Sequence, residues 1–259
     1  MHLNYTVSVM VDTEIIQWLL TEINENSKKL KNNTCITENE LRCFIAIIYL
    51  SGYLELPRRR LMWEQSPDCH NNLVSNAIRR DKFEYILSNF FSSDEKNDNI
   101  KITELNVRVN HKLYRHCPIE NQFNIADIPI DDTKAFRILC GTSKSGFCNF
   151  LSIFTSDKEA QSVIRCYAKF LKQFRISEIE VLFDNSFSDP QFLYEINCDV
   201  VGVHKRTRAC AISNLSGIEK LRTNVNLYRS RIRGHKIFAR YFTFFLDVIL
   251  YNAFLLLQK

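Results

Sequence analysis

The stretch Glu178-Ile179-Glu180-Val181-Leu182-Phe183-Asp184-Asn185 decides how the rest of the chain is read. It alternates at first and then becomes an apolar run, Val181-Leu182-Phe183, the pattern of a short buried strand. The strand ends in an acid. Ser186-Phe187-Ser188-Asp189-Pro190 follows, in which Ser188 or Asp189 can cap a helix that Pro190 opens. A carboxylate at the C-terminal end of a core strand stands where open α/β sheets keep their chemistry. Asp184 reads equally as a turn aspartate bonded to its own backbone, and spacing alone leaves both readings open.

Outward from this strand the chain supplies a sheet. Residues 123–128 alternate, and 136–140 and 147–154 read as two further strands joined by the turn Ser143-Lys144-Ser145-Gly146. A helix is expected over 159–174, another through Phe192-Leu193-Tyr194, and a strand over 198–203. Three strands, helix, strand, helix, strand make a mixed α/β sheet.

Upstream the reading is all-helical. Residues 13–20 have helical spacing, and the polar residues 24–33 read as a loop. Thr37-Glu38-Asn39-Glu40 is a capping box ahead of a helix over 41–53, which is apolar nearly all round and so expected to be buried. Pro57 stops it. Arg58-Arg59-Arg60 is either a solvated face or a contact to phosphate. Residues 72–78 lead into an amphipathic helix over 80–90, the acidic 92–99 reads as a surface loop, and 107–114 as a helix. After Gly217 helices are expected to the end. The apolar run 241–257 carries Asp247 and Asn252 and is read as a buried helix, not a membrane span.

Composition narrows the function classes. A chain of 259 residues holds one large or two modest domains, and 46% hydrophobic with 24% charged residues is the balance of a soluble globular protein. The nine cysteines are odd in number and scattered, with no CxxC pair, which argues against a disulfide framework or a zinc site and for reduced thiols in the cytosol or nucleus. The first residues carry no signal-peptide pattern. The net charge of +5 is unevenly spread. Between His204 and Arg240, Glu219 is the only acid among ten basic residues, which include Lys205, Arg206, Arg208, Arg229, Arg231 and Arg233. That stretch is the expected DNA contact, with Tyr228 and His235 interleaved to stack or to bond sugar and phosphate; the plainer reading is a basic surface with non-specific polyanion affinity.

Taken in order, several of these stretches resemble the piggyBac family of DNA transposases and the host proteins derived from them. The similarity lies in Asn39-Glu40-Leu41-Arg42-Cys43-Phe44-Ile45 with Gly52, Leu56-Pro57 and Trp63, and then Arg80-Asp81-Lys82-Phe83 with Ile86-Leu87. Tyr114 and Pro118-Ile119-Glu120-Asn121 follow, then Phe183-Asp184-Asn185-Ser186-Phe187, and Gly202 with Lys205 and Arg208. It closes on Gly217-Ile218-Glu219, Tyr228-Arg229, Leu246-Asp247 and Asn252-Ala253-Phe254. The resemblance implies a ribonuclease-H-like mixed sheet (α/β, or α+β) embedded in a helical domain that binds DNA and dimerises. Residues 1–122 would form the first part of the helical domain, 123–222 the catalytic-type core, and 223–259 helices returning to the helical domain. It also implies a catalytic and metal-binding set of Asp127, Asp184 and Glu219 holding two Mg²⁺ or Mn²⁺ ions, which activate the attacking oxygen and stabilise the leaving oxygen of a phosphodiester.

The chain departs from that pattern. Glu219 replaces an aspartate, and Arg222 stands where the family has a further acid. Glu219 and Arg222 are three residues apart on a helix and share a face, so the guanidinium is expected to pair with Glu219 or Asp184 and disrupt metal binding. Ile128 replaces an acid, Pro129 and Asp131-Asp132 disturb the first strand, the segments 127–136 and 208–217 are short, and no cysteine-rich tail precedes Lys259. The expectation is a nuclear, transposase-derived protein that binds double-stranded DNA with little or no strand transfer, using no metal unless active, with no membrane partner. A homodimer is one assembly open to it. The alternatives are an active DDE/D-type transposase and a protein-interaction scaffold that does not bind DNA.

Overall fold

The computed structural model describes residues 11–29, 34–54, 56–90, 95–118, 120–129, 137–154, 156–171, 180–183, 187, 191–192, 203–204, 216–230 and 237–258. In chain order the elements are α1 (Thr13–Lys29), α2 (Glu38–Tyr53), a 3₁₀ turn (Arg59–Trp63), α3 (Asn72–Ala77), α4 (Arg80–Phe90), α5 (Glu95–Arg115), β1 (Gln122–Pro129), β2 (Arg137–Ser143), β3 (Cys148–Phe154), α6 (Asp157–Leu171), β4 (Glu180–Phe183), β5 (Val203–His204), α7 (Ser216–Leu227) and α8 (Ile237–Leu257). The chain divides into two compact units, Met1–Thr103 with Tyr228–Leu250, and Glu104–Leu227 with Tyr251–Lys259.

The first unit is helical. The capping box forms as read: Thr37 Oγ1 accepts from the Glu40 amide at 3.3 Å, and Glu40 Oε2 accepts from the Thr37 amide at 2.9 Å. A chain of aromatic rings runs through the mostly aliphatic core of this unit. Phe44 lies 5.1 Å from Phe83 and 5.8 Å from Phe90, and Phe90 lies 4.6 Å from Phe242 of α8, ring centre to ring centre. Trp63 packs on Phe83 and donates its indole N–H to the Ile78 carbonyl at 2.8 Å, so its polar atom is satisfied within an apolar setting.

Three sequence expectations are corrected here. Residues 24–29 continue α1 and are not a loop. Their polar side chains serve tertiary contacts: Asn24 exchanges hydrogen bonds with the Ile36 backbone at 3.2 and 2.8 Å, and buried Ser27 bonds Tyr85. The segment from Glu95 onward is α5, of which the expected helix at 107–114 is only the end. Between α7 and α8, residues 229 and 230 are not helical.

The second unit is built on a five-stranded sheet in the order β3-β2-β1-β4-β5. β1, β2 and β3 are antiparallel neighbours, whereas β4 runs parallel to β1 and β5 parallel to β4. The turn joining β2 to β3 closes with Ser143 N–H to the Phe147 carbonyl at 2.9 Å, and Gly146 takes φ 98°, which a side chain would resist. Alternation assigns the faces. Phe123, Ile125, Leu139 and Phe150 pack against Ile164 and Tyr167 of α6; each such side chain, fully buried, contributes roughly 1.5–3 kcal/mol. Asn124 and Thr142 face the other way, toward Gly217 at the start of α7, whose missing Cβ would lie 2.9 Å from each.

The outer edge of β3 is covered by two asparagines acting as surrogate strands. Asn110 of α5 donates to the Leu151 carbonyl at 2.7 Å and accepts from its amide at 2.9 Å. Asn252 of α8 does the same for Cys148, at 2.7 and 2.8 Å. Buried main-chain groups on a sheet edge are thereby paired. Helix α8 is long and apolar enough to cross a membrane, but 67% of that window is buried within the protein, as the sequence reading of 241–257 expects of a core helix.

Candidate functional site

Asp127 lies near the end of β1, opposite Leu139 on β2, while Pro129 is opposite Arg137. Arg137 is therefore two residues from Asp127's direct partner and on the same face, the diagonal neighbour that a long side chain reaches. Its Nε and Nη2 both donate to Asp127 Oδ2. The same guanidinium lies 3.4 Å from Asp157 at the start of α6 and stacks over the Phe154 ring at 4.8 Å. The Asp127 side chain is only 12% exposed.

Arg222, on α7, has two partners. Nη1 donates to Glu219 Oε1 at 3.3 Å, and Nη2 donates to the backbone carbonyl of Asp127 at 3.0 Å. The helix spacing supplied the first contact; only the packing of α7 on β1 and β2 supplies the second. Arg222 thus ties Glu219 to the β1 main chain, while the Asp127 carboxylate lies on the opposite, α6 face of the sheet with Leu139. Asp184 lies outside the described residues; the last described residue before it, Phe183, pairs with Ile125 two residues before Asp127.

Of the expected DNA-contact residues, Lys205, Arg206, Arg208, Arg231 and Arg233 lie outside the described residues. Arg229 is exposed in the non-helical link before α8. Asp247 anchors that link: its carboxylate accepts from Ser230 Oγ at 2.6 Å and from the Ser230 amide at 3.2 and 3.3 Å. Burial pushes the Asp247 carboxyl up to about 7, against the opposing pull of the Ser230 hydrogen bonds and Arg229. In the Arg58-Arg59-Arg60 triplet, Arg60 pairs with Glu84 at 3.2 Å.

A divalent cation does not fit the described side chains as they stand. Asp127's carboxylate is already held by Arg137, and the half-exposed Glu219 by Arg222. A guanidinium 4 Å from a doubly charged ion costs on the order of 8 kcal/mol at the effective dielectric of a protein surface. Each guanidinium thus offsets much of the attraction that the carboxylate beside it would offer an ion. Among the described residues no group of three or more His, Cys, Asp or Glu is placed to hold a metal.

Sequence reasoning named Asp127, Glu219 and Arg222 as candidates and did not name Arg137, which holds the Asp127 carboxylate. The one signal for it was a charged residue inside the apolar strand Phe136-Arg137-Ile138-Leu139-Cys140.

Comparison with known proteins bears on the family and the fold. The transposase family described as Transposase IS4 matches residues 8–143, more than half of the chain. The human PiggyBac transposable element-derived protein 2 is 32% identical over 156 residues, covering 52% of this chain and 26% of that protein. The human PiggyBac transposable element-derived protein 3 is 35% identical over 129 residues, covering 48% of this chain and 22% of that protein. The chain thus spans about a quarter of the length of these relatives. A cryo-EM structure of the piggyBac transposase synaptic complex with hairpin DNA superposes with a TM-score of 0.71 at 9% identity, covering 99% of this chain and 74% of that one; the likeness is one of fold. From its sequence match, the chain belongs to the piggyBac-type transposase family.

Proposed function

We propose that this chain is a piggyBac-derived protein that binds double-stranded DNA in the nucleus and carries out little or no strand transfer. The observation that carries the proposal is the pair of guanidinium groups on the candidate acids: Arg137 on Asp127, and Arg222 between Glu219 and the Asp127 carbonyl. They neutralise acids that would otherwise repel a phosphodiester, and they stand against the divalent ions that cleavage needs. Binding to a phosphate backbone survives such a change, because it draws on arginines and lysines and not on the acids. Support for DNA as the ligand comes from the hairpin DNA in the structural neighbour and from the concentration of basic residues between His204 and Arg240.

The test is to incubate the full chain with Mg²⁺ or Mn²⁺ and a hairpin or nicked duplex. Salt-dependent binding without cleavage is expected. Specific cleavage that disappears in Asp184→Ala would show instead a working transposase centre. Absence of any salt-dependent DNA binding would favour the scaffold reading.

A further inference from the structure

We propose that Tyr53 and Tyr228 form a stacking site for an unpaired DNA base, with Arg229 beside it to take the neighbouring phosphate. Tyr53 ends α2 and Tyr228 follows α7. Their rings stack at 4.8 Å between centres with 28° between planes, and the residues stay 50% and 48% exposed. The pair is therefore not spent on filling a core.

The backbone beneath the rings is fixed from two sides. At Gly52 a Cβ would lie 2.3 Å from the Tyr228 carbonyl oxygen, a backbone atom that cannot swing away, so only glycine lets the two segments approach. At Ser230 the buried Asp247 carboxylate holds both the amide and the hydroxyl. Tyr228 and Arg229 sit between these anchors, and Arg229 is exposed. Two pre-stacked rings on an anchored backbone beside a cation are what a single-stranded or looped-out nucleotide needs, because every base offers a π-face and the gain is nearly independent of sequence. A base inside a duplex has both faces covered and cannot use such a site. The sequence that follows Tyr228 is rich in arginine, which suits a nucleic acid better than an apolar protein surface.

This inference rests on the DNA-binding reading, and the experiment separates the two. Fluorescence anisotropy on the full chain would compare a duplex stem closed by an unpaired loop with the same stem blunt-ended, across a salt series. The wild type is expected to prefer the looped probe. Tyr53→Ala and Tyr228→Ala should each lower the looped-to-blunt affinity ratio on the order of tenfold, whereas Tyr53→Phe and Tyr228→Phe keep it, since the ring and not the hydroxyl stacks. A fluorescent adenine analogue in the loop should be quenched by the wild-type protein, a reading that needs no variant. Salt-dependent binding with no loop preference, equal losses on both probes, or an unquenched loop would overturn the stacking site while leaving DNA binding in place. Failure to bind either probe would remove both.

Discussion

Arg222 meets two parts of the chain at once, a carboxylate one helical turn away and a carbonyl on the neighbouring strand, and this makes it the residue to change first. Arg222→Asp removes the cation beside Glu219 and supplies a carboxylate. Mn²⁺ binding by titration calorimetry should strengthen measurably; unchanged heats would mean that Arg137 alone suffices to exclude the ion. Asp247 supports a second prediction. Its folded carboxyl titrates near 7, whereas the ordinary value is 3.8. Between those pH values the folded state holds the proton and the unfolded state has lost it, so stability falls as pH rises, by up to ~1.4 kcal/mol per unit. In Asp247→Asn the side chain still accepts from Ser230 but no longer titrates. Thermal melts of the variant between pH 5 and 7.5 should lose most of the slope seen in the wild type; an unchanged slope would place the titration elsewhere.

At the scale of elements, the sheet depends on how its edge and its back are covered. Asn252 occupies both main-chain groups of Cys148 on the outer edge of β3. Asn252→Ala leaves a buried amide and a buried carbonyl without these partners, at a cost of about 1–3 kcal/mol for each. Denaturant unfolding should show a loss of about 2–6 kcal/mol for the two groups together, and a variant as stable as wild type would mean the edge is paired by other means. The approach of α7 is set by Gly217, where a Cβ would come 2.2 Å from the Ser143 carbonyl oxygen. Because that carbonyl belongs to the β2 ladder, it cannot give way cheaply. The close approach is what brings Arg222 within 3.0 Å of the Asp127 carbonyl, so a small residue at one end of α7 decides a contact at the candidate site.

At the scale of the whole molecule, the basic stretch from His204 to Arg240 bears on DNA affinity. Replacing Arg229, Arg231 and Arg233 together by alanine should weaken duplex binding and flatten the slope of log affinity against log salt by about two to three. Unchanged affinity and slope would turn attention to Arg58-Arg59-Arg60, of which Arg60 already pairs with Glu84. Much of the fold was legible in the sequence, because β1, β2, β3, α2, α4 and α6 announce themselves by local means: period-2 or helical apolar spacing, the Thr37 capping box, and a turn at Gly146. The helical continuation at 24–29 was not legible, since Asn24 and Ser27 there gain partners outside the helix and periodicity does not see them. Of the candidate site, the chain alone determined the residue types, including Arg222 beside Glu219, which share a helix face whatever surrounds them. That Arg137 takes the Asp127 carboxylate, that Arg222 also reaches a β1 carbonyl, and that Gly52, Tyr228 and Asp247 join in one support were decided only by the tertiary structure. Strand register and helix approach are settled by burial and close packing summed over distant segments, and no local spacing encodes them.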